Sequence, residues 1–135
     1  QSAGNYSEAT ENILQYLEYF PANAKAHFIC GEIYFEYRDY LKALGCFNRC
    51  LALDTGEAMY FEARGKTYLN TDTYAYALKD FTMALDLDPY NPRTWYMKGL
   101  CRLKLQDKDG ARSDLEKAAR YGSVEARHLL EEMMK

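Results

Sequence analysis

One interval governs the 135-residue chain. Glycines stand at Gly31, Gly65 and Gly99, each 34 residues from the next. Alanines stand at Ala9, Ala43, Ala77 and Ala111 with the same step, and four residues past each alanine comes Ile13, Phe47, Phe81 or Leu115. Tyr6, Tyr40 and Tyr74 precede the first three alanines by three, and Leu17, Leu51 and Leu85 follow them by eight. Several columns that share one period without an insertion describe a repeated supersecondary unit, each copy too small to bury its own apolar face and completed by its neighbours.

Each unit reads as two helices. Tyr40, Ala43, Leu44, Phe47, Cys50 and Leu51 are spaced by threes and fours, and Tyr74, Ala77, Leu78, Phe81, Ala84 and Leu85 repeat that face. Further helices are predicted at roughly 24–37, 57–70 and 92–105. Asn23 and Asn91 suit N-cap positions, and Pro92 fits the first helical position, where its missing N–H costs nothing. Arg38-Asp39, Thr71-Asp72-Thr73 and Gln106-Asp107 are too short to connect anything but antiparallel neighbours. Glycine inside a helix costs about 0.5–1 kcal/mol against alanine. Close approach of the second helix is the compensation expected, so Gly31→Leu should destabilise by overpacking.

These residues resemble the tetratricopeptide repeat. The second unit carries Phe61, Gly65, Tyr68, Tyr74, Ala77, Phe81, Ala84, Leu85 and Pro89 in that family's order; the third has Trp95 and Gly99. Three full units are read at 24–57, 58–91 and 92–125, preceded by a half repeat at 1–23 and followed by a capping helix at 123–135. Cys30, Arg64 and Lys98 stand where the family usually has Leu, and Arg102 where it has Tyr. In the last segment Gly122 stops a helix, Ser123 caps the next, and Ala126, Leu129, Leu130, Met133 and Met134 form its apolar stripe. The resemblance implies an all-α, right-handed superhelix of antiparallel helix pairs.

It also implies a concave groove lined by the first helix of each unit. Carried onto this chain, the ligand-facing positions are Lys25, Phe28, Ile29, Glu32, Phe35 and Glu36; Met59, Glu62, Ala63, Lys66, Leu69 and Asn70; and Arg93, Tyr96, Met97, Leu100, Leu103 and Lys104. The apolar members would offer a strip to an extended peptide or an amphipathic helix. Two or three buried anchors, set against the cost of association, put a short peptide in the micromolar range or weaker. Family members that grip the acidic C-terminal tails of large chaperones use a basic and amide clamp. Its positions fall here on Phe28, Glu32, Ala63, Arg93 and Met97, of which only Arg93 is suitable, so such tails are not expected to bind.

The remaining letters narrow the function class. A net charge of −3, with no Lys/Arg run longer than two, lacks the basic stripe of a nucleic-acid binder. No apolar stretch approaches the roughly 18 residues of a membrane span. His27 and His128 are the only histidines; the first reads as a packing residue and the second as solvent-facing. With no nucleophile or acid–base constellation, no enzyme activity, metal or cofactor is expected. Cys30, Cys46, Cys50 and Cys101 include no C-x-x-C pair and read as reduced, buried thiols. The acidic residues read as spread over outer faces. The 13 tyrosines suit either packing or a binding surface. The function expected is a protein-interaction scaffold; the alternatives are self-association, in which an exposed N-terminal end could meet its twin, and a non-catalytic accessory domain of a larger enzyme or transport complex. Gln1-Ser2-Ala3-Gly4 resembles neither a signal nor a transit peptide, and the chain is expected to be an excised or processed fragment. Localisation stays open, with the cytoplasm favoured.

Overall fold

Eight α-helices and no strand make up the described residues, 3–135, of the computed structural model. They are α1 (Ala3–Tyr19), α2 (Ala24–Glu36), α3 (Tyr40–Leu53), α4 (Ala58–Asn70), α5 (Tyr74–Leu87), α6 (Pro92–Lys104), α7 (Lys108–Arg120) and α8 (Val124–Met133). Gln1 and Ser2, which the sequence assigns to the half repeat, lie outside the described residues.

The chain reverses direction by one device used three times. Arg38, Asp72 and Gln106 have φ of 64°, 59° and 66°, left-handed conformations that non-glycine residues adopt at a cost. Each is followed by a residue whose N–H reaches back five positions: Asp39 to the Tyr34 carbonyl at 2.9 Å, Thr73 to Tyr68 at 2.9 Å and Asp107 to Arg102 at 2.8 Å. The bond satisfies a carbonyl that the helix end would otherwise leave unpaired. Asp39 and Asp107 then cap the next helix, their carboxylates accepting from the Lys42 and Gly110 amides. One residue therefore ends a helix and starts another, which is why so short a connection suffices. Asn23, Asn91 and Ser123 cap α2, α6 and α8 through the Ala26, Arg93 and Ala126 amides.

Helices pair as α2 with α3, α4 with α5 and α6 with α7, and successive pairs stack through α3 on α4 and α5 on α6. Contacts from α2 to α4 and from α4 to α6 make the first helices one continuous face. At the two ends α1 packs on α2 through Tyr6, Ile13 and Leu17, and α8 packs on α7. On α1, Leu14, Tyr16 and Tyr19 are exposed, as is Phe20 just beyond it.

The recurring glycines mark where paired helices touch. A Cβ on Gly65 would stand 2.9 Å from Phe81 Cε1, and one on Gly99 would stand 2.9 Å from Leu115 Cδ2. A Cβ on Gly31 would run into the Phe47 ring. Phe47, Phe81 and Leu115 are almost wholly buried, so none can swing aside into solvent. Gly31→Leu is accordingly expected to cost about 1–3 kcal/mol, read as a lowered urea midpoint with an unchanged slope.

Asp80 and Asp114 do not conform to the reading of acidic residues as surface groups. Both are buried, on α5 and α7. Arg64 of α4 grips Asp80 with two hydrogen bonds, Nη2 to Oδ1 at 2.8 Å and Nε to Oδ2 at 2.9 Å. Arg102 of α6 lies 2.9 Å from Asp114. Burying the carboxylates is tolerated because a guanidinium comes with them. Cys46 also departs from expectation: it is only partly buried, whereas Cys30, Cys50 and Cys101 are fully so.

Candidate functional site

The face formed by α2, α4 and α6 carries two recesses. The larger, about 400 Å³, lies between α2 and α4 and is lined by Ile29, Glu32, Ile33, Phe35, Glu36, Phe47, Ala63 and Lys66. Helical spacing brings Ile29, Ile33 and Glu36 to one side of α2, one turn apart, while Ala63 and Lys66 come from α4. The Lys66 ammonium stands 4.8 Å from the centre of the Phe35 ring, close enough for a cation–π contact. Burial pushes the Glu32 carboxyl up; Lys66 opposes this and Glu36 adds to it. The recess thus combines apolar walls with two carboxylates and one cation.

The smaller recess, about 80 Å³, lies between α4 and α6 and includes Met59, Glu62, Arg93 and Thr94. Glu62 is its hub. Its carboxylate accepts from Arg93 Nη2 at 2.8 Å, the Thr94 hydroxyl at 2.6 Å and Asn91 Nδ2 at 3.4 Å. The Arg93 side chain is 67% exposed, so the ion pair contributes little stability, but it neutralises the cation locally.

The residues assigned to the groove from the sequence divide accordingly. Glu32, Phe35 and Lys66 converge on the larger recess, and Met59 and Arg93 on the smaller. Leu69 and Tyr96 are half-buried against the cluster of Ala77, Phe81, Met97 and Cys101, and Leu100 is half-buried as well. Phe28 and Met97 must be corrected: they are 8% and 7% exposed and cannot serve as open anchors. The Phe28 ring lies 5.0 Å from Tyr60 of α4, on the side turned toward the next pair. Met97 packs with Ala77 and Phe81 of the preceding α5. Both positions belong to the surfaces by which one pair stacks on another, and stacking claims the side chain. Ile33 and Phe47 line the larger recess and were missed. The Ile29–Ile33 pair, one turn apart on α2, was the available signal for the first. His27 is buried, its Nε2 2.9 Å from the Pro21 carbonyl, and His128 is exposed.

Among the described residues no three His, Cys, Asp or Glu side chains converge as a metal-holding group, and no helix is long and apolar enough to cross a membrane. The sequence profile of the tetratricopeptide repeat matches residues 1–58 and 62–129. The chain belongs to the tetratricopeptide repeat family.

Curated relatives of this tetratricopeptide chain include serine/threonine-protein phosphatase 5 of Mus musculus, 32% identical over 83 residues, which cover 62% of this chain and 17% of that protein. Superkiller complex protein 3 of Homo sapiens is 31% identical over 132 residues, covering 93% of this chain and 8% of that protein. The chain thus spans a small part of the curated relatives it matches. Among solved structures, MamA of Desulfovibrio magneticus RS-1 superimposes with a TM-score of 0.89 over 94% of this chain and 73% of that one, at 19% identity. This is a likeness of fold, the right-handed superhelix of helix pairs. The second tetratricopeptide domain of Spaghetti (RPAP3), solved with an HSP90 peptide bound, matches with a TM-score of 0.71 over 84% of this chain and 98% of that one, at 27% identity.

Proposed function

We propose that this tetratricopeptide domain is a non-catalytic protein-interaction module that holds an extended or helical segment of a partner against the face formed by α2, α4 and α6. The observation that carries this reading is the recess between α2 and α4. It is concave, of a size to take one large side chain, and lined by Ile29, Ile33 and Phe35 together with Glu32, Glu36 and Lys66. Ile29 and Met59 remain 38% and 54% exposed on the same face, apolar surface that no neighbouring helix covers. Phe35, Leu69, Tyr96 and Leu100 extend the strip at lower exposure. Backbone and side-chain contacts along such a face suit a segment carrying two or three apolar anchors.

The chemistry disfavours one ligand that a structural relative takes. The HSP90 peptide bound by RPAP3 prompts the question whether this groove also grips an acidic C-terminus. Here the clamp positions offer Phe28, Ala63 and Met97, which are buried and bring no polar side-chain group, and Glu32, which would repel a carboxylate. Arg93 is already engaged by Glu62 at 2.8 Å.

A phage-displayed peptide library panned on the immobilised domain tests both statements, with fluorescence anisotropy on the selected peptide and on an HSP90 tail peptide. Selected peptides should carry apolar anchors and lose at least about tenfold in affinity to an Ile29→Ser/Met59→Ser variant, because each buried anchor is worth roughly 1.5–3 kcal/mol. The tail peptide should show no saturable binding. Equal affinity of wild type and variant for the selected peptide would remove the groove assignment. Saturable tail binding abolished by Arg93→Ala would overturn the exclusion of acidic termini.

A further inference from the structure

The place just before each recurring glycine faces a fixed place on the paired helix, sixteen residues on, and its chemistry changes from unit to unit. In the second pair Arg64 meets Asp80 there, sixteen residues apart in sequence. In the third pair Asp114 occupies the matching place, with Lys98, Arg102 and Lys117 as the cations acting on it. In the first pair the same two places hold Cys30 on α2 and Cys46 on α3, likewise sixteen residues apart, their sulfurs 2.9 Å from each other. An ion pair that staples two helices has been replaced by two thiols, and both are free.

We propose that Cys30 and Cys46 are a reversible disulfide site, a thiol pair that exchanges with a small-molecule disulfide to close a covalent bridge between α2 and α3. Three observations carry this. The sulfurs need to approach by less than about 1 Å to reach bonding distance near 2.05 Å, and Gly31, beside Cys30, already lets α3 lie close against α2. A cavity of about 350 Å³, lined by both cysteines with Leu17, His27, Lys42 and Arg49, gives a reagent a way in. Cys46 is the partly exposed member, while Cys30 is 1% exposed and sits behind it.

The exchange balances without any other component. The exposed Cys46 sulfur attacks one sulfur of a reagent R–S–S–R as its proton passes along the hydrogen bond to the Cys30 thiolate, forming Cys46–S–S–R and releasing RS⁻. Cys30, once its proton is lost to solvent, then attacks the Cys46 sulfur, breaking its bond to the reagent sulfur and releasing a second RS⁻. Two protein thiols are oxidised, the reagent disulfide is reduced to two thiols, and the two protons pass through solvent to the RS⁻ groups. The pair's own hydrogen bond prepares it: the Cys46 thiol donates to the Cys30 sulfur, holding Cys30 below the ordinary thiol range and pushing Cys46 up, with Arg49 opposing the rise. The remaining cysteines are unsuited. Cys50 and Cys101 are fully buried, and neither lines the cavity by which a reagent would enter.

The full chain is incubated with oxidised glutathione against graded reduced glutathione, quenched in acid and alkylated in denaturant, and its peptides are mapped without reduction. The expected result is that two of the four thiols escape alkylation and a peptide containing Cys30 is linked to one containing Cys46. Dithiothreitol should reverse the link. Oxidised wild type should melt several degrees above reduced, and Cys46→Ser should show neither link nor shift. A Cys30→Arg/Cys46→Asp variant, which installs the second pair's ion pair in the first, should be indifferent to glutathione. The proposal is overturned if the native chain resists oxidation until it unfolds, if glutathione stays attached without bridging, if the link involves Cys50 or Cys101, or if the Arg/Asp variant shows the same melting shift. The mapping of wild type decides the question even where a variant fails to fold.

Discussion

Arg64→Met is expected to destabilise the domain by about 3–5 kcal/mol, a larger effect than a partly exposed ion pair would ordinarily give. The reason lies in what the substitution leaves behind. The Asp80 side chain is 4% exposed and receives both of its strong hydrogen bonds from Arg64. Without the guanidinium a carboxylate stays buried and unpaired on α5, inside the unit that joins the first and third pairs. Burial pushes the Asp80 carboxyl up, and Arg64 is the group that opposes the rise. A carboxyl whose folded-state pKa lies above its unfolded value contributes stability when protonated and loses it as pH rises through the folded value. The deficit of Arg64→Met should therefore be largest at neutral pH and shrink as pH falls through the raised carboxylate range. Replacing both partners, Arg64→Met/Asp80→Leu, removes the charge along with its counter-ion and should recover most of the loss. Urea unfolding of the four proteins at two pH values measures the cycle. A single-substitution loss below about 1 kcal/mol would place the pair with ordinary surface bridges.

Arg64 also shows where the sequence was legible and where it was not. The 34-residue rhythm announced the helix pairs because packing imposes it: Gly31, Gly65 and Gly99 must be small wherever Phe47, Phe81 and Leu115 are large. Any chain that stacks identical pairs writes this relation in its letters. The buried ion pair uses the neighbouring columns, but the first helix carries a different letter in each unit (Cys30, Arg64, Lys98), and the Asp that does recur, Asp80 and Asp114, is met by Arg64 in one unit and by Arg102, a turn further on, in the other. Counting acidic residues as surface groups hid it further. The αL residues Arg38, Asp72 and Gln106 share a column too, yet none is the glycine or asparagine that usually signals such a turn.

The groove was legible only in part, for a geometric reason. Adjacent helical positions point about 100° apart, so the letters place Phe28 and Ile29 on α2 without showing which of them the next pair covers. Stacking turned Phe28 under Tyr60 and left Ile29 open to the larger recess. The same column holds Glu62 in the second unit, where its partner is not an aromatic ring but Arg93 and Thr94 of α6. The same column is thus filled by ring packing in one unit and by an ion pair in another, according to what stands on the next helix.

The aromatic column should respond as strongly as the ion pair. Phe81→Ala is expected to cost about 3–5 kcal/mol, because the ring is 0% exposed and fills the space that Gly65 leaves between α4 and α5. The glycine and the ring then make a coupled pair, and the coupling separates two accounts of the glycine. If Gly65 is there to admit the ring, Gly65→Ala overpacks wild type by about 1–3 kcal/mol, since a Cβ there would meet Phe81 Cε1 at 2.9 Å and Asp80 Cβ at 3.1 Å. In a Phe81→Leu background the ring contact is gone, and the helix-favouring gain of alanine over glycine, about 0.5–1 kcal/mol, should offset most of the penalty. The interaction energy of the double-mutant cycle should then fall between about 0.5 and 3 kcal/mol. An additive cycle, with Gly65→Ala costing the same in both backgrounds, would mean that backbone contacts or Asp80 alone set the separation of α4 and α5. The spacing of the glycines would then have to be explained without the ring.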